Sequence, residues 1–255
     1  MENETQPLLS MIMPCYNEED LIGYTIPRLV QAFETNGYPL ELIACDNGSS
    51  DRTGELIQGF VDRGFPITLH RIEVNRGYGN GVLDSIPLCN GPLIGIIPAD
   101  GQIDAEDVVR VYESVARSSK PMLGKVFRRF RLDGAWRTLV SSFYNLFMLM
   151  LWPSIGSVDV NGSPKIMHRE ILEAMKLESR DWLLDPEIMI KAGYMGVAVI
   201  EMNAFARMRE HGESHVQVTT IWMFITTLLR FRFGNKLKTW HKSYLDNMNS
   251  GDNAC

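Results

Sequence analysis

Residues 95–104, GIIPADGQID, set an apolar run against a proline, one aspartate and a polar tail. Leu93, Ile94, Ile96 and Ile97 have the character of a buried strand, and Asp104 before AEDVVRVYESV reads as a cap ahead of a helix with an acidic first turn. Asp100 and Gln102 therefore stand where a central strand gives way to a loop. In open α/β sheets that is where ligands bind.

The pattern extends outward from there. LLSMIMP (8–14) is a strand leading through Cys15 and Tyr16 to Asn17, which is placed to cap a helix with Asp20 at its third position, and Pro27 predicts a kink or short break in that helix. LELIAC (40–45) is a second strand, followed by DNGSSD (46–51) and a helix capped by Ser50, with Leu56, Ile57, Phe60 and Val61 on its apolar side. ITLHRI (67–72) is a third strand, and NRGYGN (75–80) a glycine-rich turn before a short helix that ends near Pro87. Strands at this spacing, joined by helices, predict right-handed crossovers and a mainly parallel sheet. After residue 120 the regularity fades. A basic stretch and the apolar segment 138–152 precede SVDVNGSPKIMHREIL, read as an edge strand or turn that enters a helix near Arg169. DWLLDPEIMIKAGYMG (181–196) reads as a helix closed by glycine, and VAVIEM (197–202) as a last strand.

A chain of 255 residues with 45% hydrophobic content has ample material for a full core. The net charge of −6 is unevenly spread. Five basic residues (Lys125, Arg128, Arg129, Arg131, Arg137) lie against one Asp133, and Arg230, Arg232, Lys236, Lys238 and Lys242 have no acid among them. Such a protein suits a phosphorylated ligand or an anionic membrane surface and is a poor nucleic-acid binder. Cys15, Cys45, Cys89 and Cys255 show no close pairing and read as small core residues of a reducing compartment. MENETQPLLS lacks the basic region of a secretory signal. FYNLFMLMLW (143–152) is too short to span a bilayer, and VTTIWMFITTLLRFRF (218–233) is interrupted by threonines and arginine; both suit the interface plane. The expected organisation is one compact domain over 1–216 and an amphipathic, basic segment over 217–255, peripheral on the cytoplasmic face of a membrane.

MPCYNEE, DNGSSD, NRGYG and ADGQ all fall at C-terminal strand ends of the predicted sheet. In such a crevice Asp46 is placed to accept a hydrogen bond from a base or ribose, and the NRGYG glycines, Gly77 first, let backbone approach a ligand. In this order and spacing, MPCYNEE, CDNGSSD, NRGYGNG and PADGQ resemble the family 2 glycosyltransferases of GT-A fold, in the branch of dolichyl or polyprenyl phosphate glycosyl synthases. The resemblance continues into VNGSPKIMHREIL and HGESHV and so covers roughly residues 8–216.

The resemblance implies an α/β GT-A fold, a mainly parallel central sheet flanked by helices, and a nucleotide-diphospho-sugar donor. Pro14, Tyr16 and Glu18 match the segment that lines the nucleotide site, Asp46 the acid that contacts the base, and Asp51 the second acid of that motif. The family's Asp-x-Asp reads Pro98 and Asp100 here, so Asp100 with Gln102 is left to hold Mg²⁺ or Mn²⁺ without the first carboxylate. Basic residues on a mobile loop serve the diphosphate, with Arg131 first, then Arg128 and Arg137. Lys165 falls where relatives commonly carry an arginine and is placed to serve the acceptor phosphate; Arg209 and Ser214 match the late motif. His211 and His215 lack the pattern of a metal site.

The implied reaction is inverting transfer to the phosphate of a polyprenyl or dolichyl carrier. A phosphate arrives ionised and needs no dedicated base. The alternatives are a saccharide hydroxyl acceptor with Asp159 or Asp185 as base, and a silent GT-A domain that only binds.

Overall fold

Four parallel strands carry the N-terminal half of the chain, and the region that follows inserts a strand of opposite direction beside them. The computed structural model describes residues 8–131, 135–206 and 218–251. The chain divides into two units, Met1–His211 and Gly212–Cys255. In the first, β1 (Leu9–Cys15), α1 (Glu19–Thr35), β2 (Leu40–Asn47), α2 (Thr53–Asp62), β3 (Ile67–Ile72), α3 (Tyr78–Ser85), β4 (Leu93–Ile96) and α4 (Ala105–Ala116) alternate as their hydrophobic periods predict. They are followed by β5 (Met122–Arg131), α5 (Ala135–Leu151), β6 (Lys165–His168), α6 (Arg169–Met175), α7 (Leu184–Met195) and β7 (Ala198–Ala206).

The sheet order is β3-β2-β1-β4-β6-β5-β7. β1 pairs in parallel with β2 and β4, and β2 with β3. β6 is antiparallel to both of its neighbours, and β5 and β7 are parallel. β1 and β4 are buried almost throughout, as strands covered on both faces must be. α4 turns Val108, Val111, Tyr112 and Val115 into the core, where Tyr112 meets the ring of Phe33 edge-on at 5.4 Å.

Several expectations are corrected. β6 is a central strand, not an edge: Ile166 and Met167 are fully buried between β4 and β5. The basic stretch expected on a mobile loop is largely β5, so Arg128 and Arg131 are strand residues. No break interrupts α1 at Pro27. Asn17 and Ser50 do not cap the helices that follow them. Asn17 takes a positive φ of 54° and its Oδ1 accepts from the Ser50 backbone N–H at 2.8 Å. The sheet is mixed through β6, while the half formed by β1–β4 is wholly parallel as expected.

The second unit holds α8 (Val218–Phe233) and α9 (Asn235–Gly251). Gly234 joins them, its N–H donating to the Arg230 carbonyl at 2.8 Å. No helix among the described residues is long and apolar enough to cross a membrane.

Candidate active site

The C-terminal ends of β1 and β2 are locked together before any ligand enters. Asp51 Oδ1 accepts from the Thr53 N–H at 3.0 Å and its Oδ2 from the Glu19 N–H at 3.1 Å, so one carboxylate serves the first turns of α2 and α1 together. Burial works against ionisation there, but the hydrogen bonds from Thr53 and Glu19 outweigh it and hold the Asp51 carboxyl below its ordinary range. The Thr53 hydroxyl accepts from the Glu18 N–H at 2.8 Å. Pro14 is the last residue but one of β1, and Tyr16 and Glu18 follow the strand, Tyr16 half exposed.

Asp46, at the register row of Cys15, accepts from the Ser49 N–H through Oδ1 at 3.1 Å. Its other oxygen passes so close to Gly54 that a Cβ there would lie 2.2 Å away, so glycine is required for this carboxylate position. Gly77 and Gly79 also permit a close approach, but of the chain itself. A Cβ at Gly77 would lie 2.4 Å from the Arg180 carbonyl oxygen, and one at Gly79 2.3 Å from that of Ser179. Close packing against residues 179–181 thus calls for glycine at both positions whatever they do for a ligand.

Asp100 follows β4 in a loop tied to α1, where the Thr25 hydroxyl donates to the Ala99 carbonyl at 3.1 Å. Asp100 Oδ1 accepts from the Gln102 N–H at 3.2 Å, with Gly101 between them at a φ of 63°. Ile96 pairs across the sheet with Lys165, and Lys165 with Lys125. The two lysines are fully buried neighbours, each matched to a carboxylate: Lys165 to Asp185, and Lys125 to Glu201 at 3.1 Å. Burial, and then the like charge of Lys165, lowers the Lys125 pKa to about 8, with Glu201 and Asp159 opposing.

Arg128 grips Asp159 with two parallel bonds, Nε to Oδ2 and Nη2 to Oδ1, both 2.8 Å. Beneath this pair, Lys125 donates to Ser157 Oγ at 2.9 Å and to the Asp159 carbonyl, while Glu201 accepts from the Val158 N–H at 3.1 Å. The loop that presents Asp159 is thus held from below. Burial opposes the Arg128 charge, but Asp159, with Asp185 and Asp100 behind it, raises its pKa.

Asp159 is driven from its ordinary value of 3.8 to about 2, because Arg128 overcomes the burial that would raise it. A depressed carboxyl contributes stability that is complete above its unfolded value and is lost as pH falls through the folded one. Acid unfolding of the wild type should therefore show a component between about pH 4 and pH 2, worth roughly 2 kcal/mol. Asp159→Asn should lack that component in a pH-dependent denaturant series; an unchanged acid limb would contradict the assignment.

Of the residues expected at the site, Pro14, Tyr16, Glu18, Asp46, Asp51 and Gly77 stand at the β1–β3 end, and Asp100, Gln102, Arg128 and Lys165 at the β4–β6–β5 end of the same strand edge. Arg131 closes β5 and Arg137 lies in the first turn of α5. Arg209 and Ser214, with His211 and His215, lie outside the described residues. Lys125 and Glu201 escaped the sequence reading because only strand register reveals that they meet.

A family model described as "Glycosyl transferase family 2" matches residues 10–175. The chain is 29% identical over 209 residues to the undecaprenyl-phosphate 4-deoxy-4-formamido-L-arabinose transferase of Pseudomonas paraeruginosa, covering 81% of this chain and 60% of that protein. It is 26% identical over 235 residues to the dodecaprenyl-phosphate galacturonate synthase of Rhizobium johnstonii, covering 90% and 68%. Among solved structures, the glucosyl-3-phosphoglycerate synthase of Mycobacterium tuberculosis, in complex with Mn²⁺, UDP and glucosyl-3-phosphoglycerate, superposes with a TM-score of 0.71 at 18% identity, over 89% of this chain and 80% of that one. The chain thus spans about 60% of the length of the first of these relatives. The matched segment contains both halves of the strand-edge crevice, and the chain belongs to glycosyl transferase family 2, with the GT-A fold.

Proposed function

We propose that the chain transfers a sugar, with inversion, from a nucleotide diphosphate donor to the phosphate of a polyprenyl or dolichyl carrier at a membrane surface. The observation that carries this reading is the pairing of Ile96 with Lys165, which sets the strand leading to Asp100 beside the strand that begins the basic and acidic cluster of Lys165, Asp185, Arg128 and Asp159. Donor diphosphate at Asp100 and acceptor at that cluster would share one edge. Relatives named for undecaprenyl and dodecaprenyl phosphate support the choice of acceptor.

No group of three His, Cys, Asp or Glu side chains among the described residues is arranged to hold a divalent cation. One carboxylate with a neighbouring carboxamide does fit a hard cation that arrives on a diphosphate, since Mg²⁺ commonly binds through one or two carboxylates plus phosphate oxygens. Asp100 and Gln102 would hold Mg²⁺ or Mn²⁺ in that way, and the ion would offset the charge that develops on the leaving diphosphate. Arg128 supplies positive charge toward the same region. Its grip on Asp159 fixes the guanidinium plane, and it leaves Asp159 a weak base. That suits a phosphate acceptor, whose second pKa lies near 6 and which attacks already ionised.

A second reading is favoured by one observation: each buried cation here already faces a carboxylate. On that reading the acceptor is a hydroxyl and Asp185 takes its proton. Incubation with a panel of nucleotide sugars and either undecaprenyl phosphate or phosphorylated hydroxy acids separates the two. Labelled sugar in the lipid extract is the expected result; product with the soluble acceptors alone would overturn the polyprenyl reading.

Membrane attachment rests on α5, which exposes Phe143, Leu146 and Met150 at positions i, i+3 and i+7, and on the basic residues of α8 and α9. Flotation with anionic liposomes should retain the full chain and lose much of a version ending at Val216. Equal flotation of both would remove 217–255 from an anchoring role.

A further inference from the structure

Trp182 is a large apolar side chain left 67% exposed beside the crevice, and the segment that carries it is held rigidly. The Arg180 carbonyl accepts from the Asn80 N–H at 2.9 Å, and the Arg180 guanidinium reaches Asn80 and Asp84, the latter at 3.2 Å. Buried Glu187 accepts from the Ser179 N–H at 2.8 Å and pairs with Lys191 at 2.6 Å. The close packing of Gly77 and Gly79 against residues 179–181 completes the attachment. The indole itself lies parallel to the Tyr78 ring, with centroids 5.3 Å apart and an interplanar angle of 3°.

This stack stands between the two halves of the crevice. Tyr78 opens α3 directly after Gly77, whose carbonyl accepts from Asn47 Nδ2 at the end of β2 at 3.0 Å. Asp185, the partner of Lys165, follows Trp182 by one turn of chain. Burial, and then the negative charges of Asp185 and Asp100, push the Tyr78 phenol up.

We propose that Trp182 is the platform for the pyranose ring of the donor. A pyranose has one face of C–H groups that packs on an aromatic plane, while its rim hydroxyls need acceptors of the kind that Asp185 and Asp100 provide. A donor whose diphosphate sits at Asp100 brings its sugar to the region between Asp100 and Asp185, which Trp182 borders. A rigid aromatic surface binds without the entropy loss of ordering a loop. The inference rests on the donor reading given under Proposed function and adds the residue that recognises the sugar.

The test is calorimetric binding of UDP, GDP and a panel of UDP- and GDP-hexoses to the full chain and to Trp182→Ala, Trp182→Leu and Trp182→Phe. The wild type should bind one nucleotide sugar more tightly than its parent nucleotide. Trp182→Ala and Trp182→Leu should weaken that nucleotide sugar about tenfold and the free nucleotide by less than about twofold, with Trp182→Phe close to wild type. Because Trp182 is mostly exposed, all three variants should melt near the wild type; if Trp182→Ala and Trp182→Leu unfold, a tryptophan fluorescence change on nucleotide-sugar binding that the free nucleotide does not give and that Trp182→Phe loses carries the test, and its persistence in Trp182→Phe would overturn the platform. Equal weakening of nucleotide and nucleotide sugar, or none, would overturn the platform alone. A wild type that binds neither class would overturn the donor reading and the platform with it.

Discussion

Asp100→Asn is expected to lower kcat/KM by roughly 10²- to 10³-fold, the range seen when a preorganised electrostatic contact to a developing charge is removed. The substitution is nearly isosteric, and the new carbonyl still accepts from the Gln102 N–H, so the loop tied to Thr25 and Ala99 keeps its shape. What disappears is the negative charge that would face a cation on the donor diphosphate. Melting should therefore stay near wild type while transfer collapses. Pro98→Asp provides the converse. Residue 98 lies beyond the last β4 residue, Ile96, so the new side chain costs no ladder bond, and a second carboxylate should lower the Mg²⁺ or Mn²⁺ concentration needed for half-maximal rate. Activity titrated against metal checks both. Full turnover of Asp100→Asn in chelator would remove the metal role from this loop.

The second large effect concerns Lys165. Its ammonium is wholly buried and faces Asp185, so Lys165→Met would leave a carboxylate in low dielectric without its partner. Breaking such a pair from one side typically costs about 3–5 kcal/mol, which for a chain of this size lowers Tm by about 10 °C. The double variant Lys165→Met/Asp185→Leu replaces the pair with apolar volume and should regain most of that stability, because well-packed hydrophobic residues often match a buried ion pair. Transfer should not return with it if Lys165 serves the acceptor phosphate. Thermal melts paired with kcat/KM on undecaprenyl phosphate separate the two consequences. Recovery of turnover in the double variant would make the pair scaffold only.

The parallel half of the fold was legible because short continuous apolar runs, glycine turns and acidic helix starts repeat there without conflict. Asp46, Asp51 and Asp100 were legible as strand-end acids for the same reason, since each stands at or within a few residues of the end of a recognisable strand. The rest depends on contacts that no local pattern encodes. LysIleMetHis at 165–168 is too short to announce a central strand, and its place between β4 and β5 appears only when both neighbours pair with it. The sequence assigns Arg128 to the donor diphosphate and Asp159 to the alternative of a hydroxyl acceptor, two separate roles. They prove to be a single bidentate pair. Glu201 lies in the last strand, VAVIEM, where no local pattern marks it, and it anchors the loop beneath Asp159.

The central place of β6 also bears on how the chain assembles as it is made. β1, β2, β3 and β4 can pair as soon as residue 96 has emerged, but the second edge of β4, Leu-Ile-Gly-Ile, must wait for residues 165–168. At about 5–20 residues per second that interval lasts several seconds, during which an apolar strand edge stands open to other chains. β5 is synthesised in between and cannot take the vacancy permanently, because its own partners are β6 and β7. Final closure of the sheet is therefore a late event that inserts the shortest kind of strand between two waiting ones. A nascent chain halted before Lys165 would present that edge indefinitely, and holdase capture should peak for ribosome-stalled lengths between the completion of α4 and the emergence of β6.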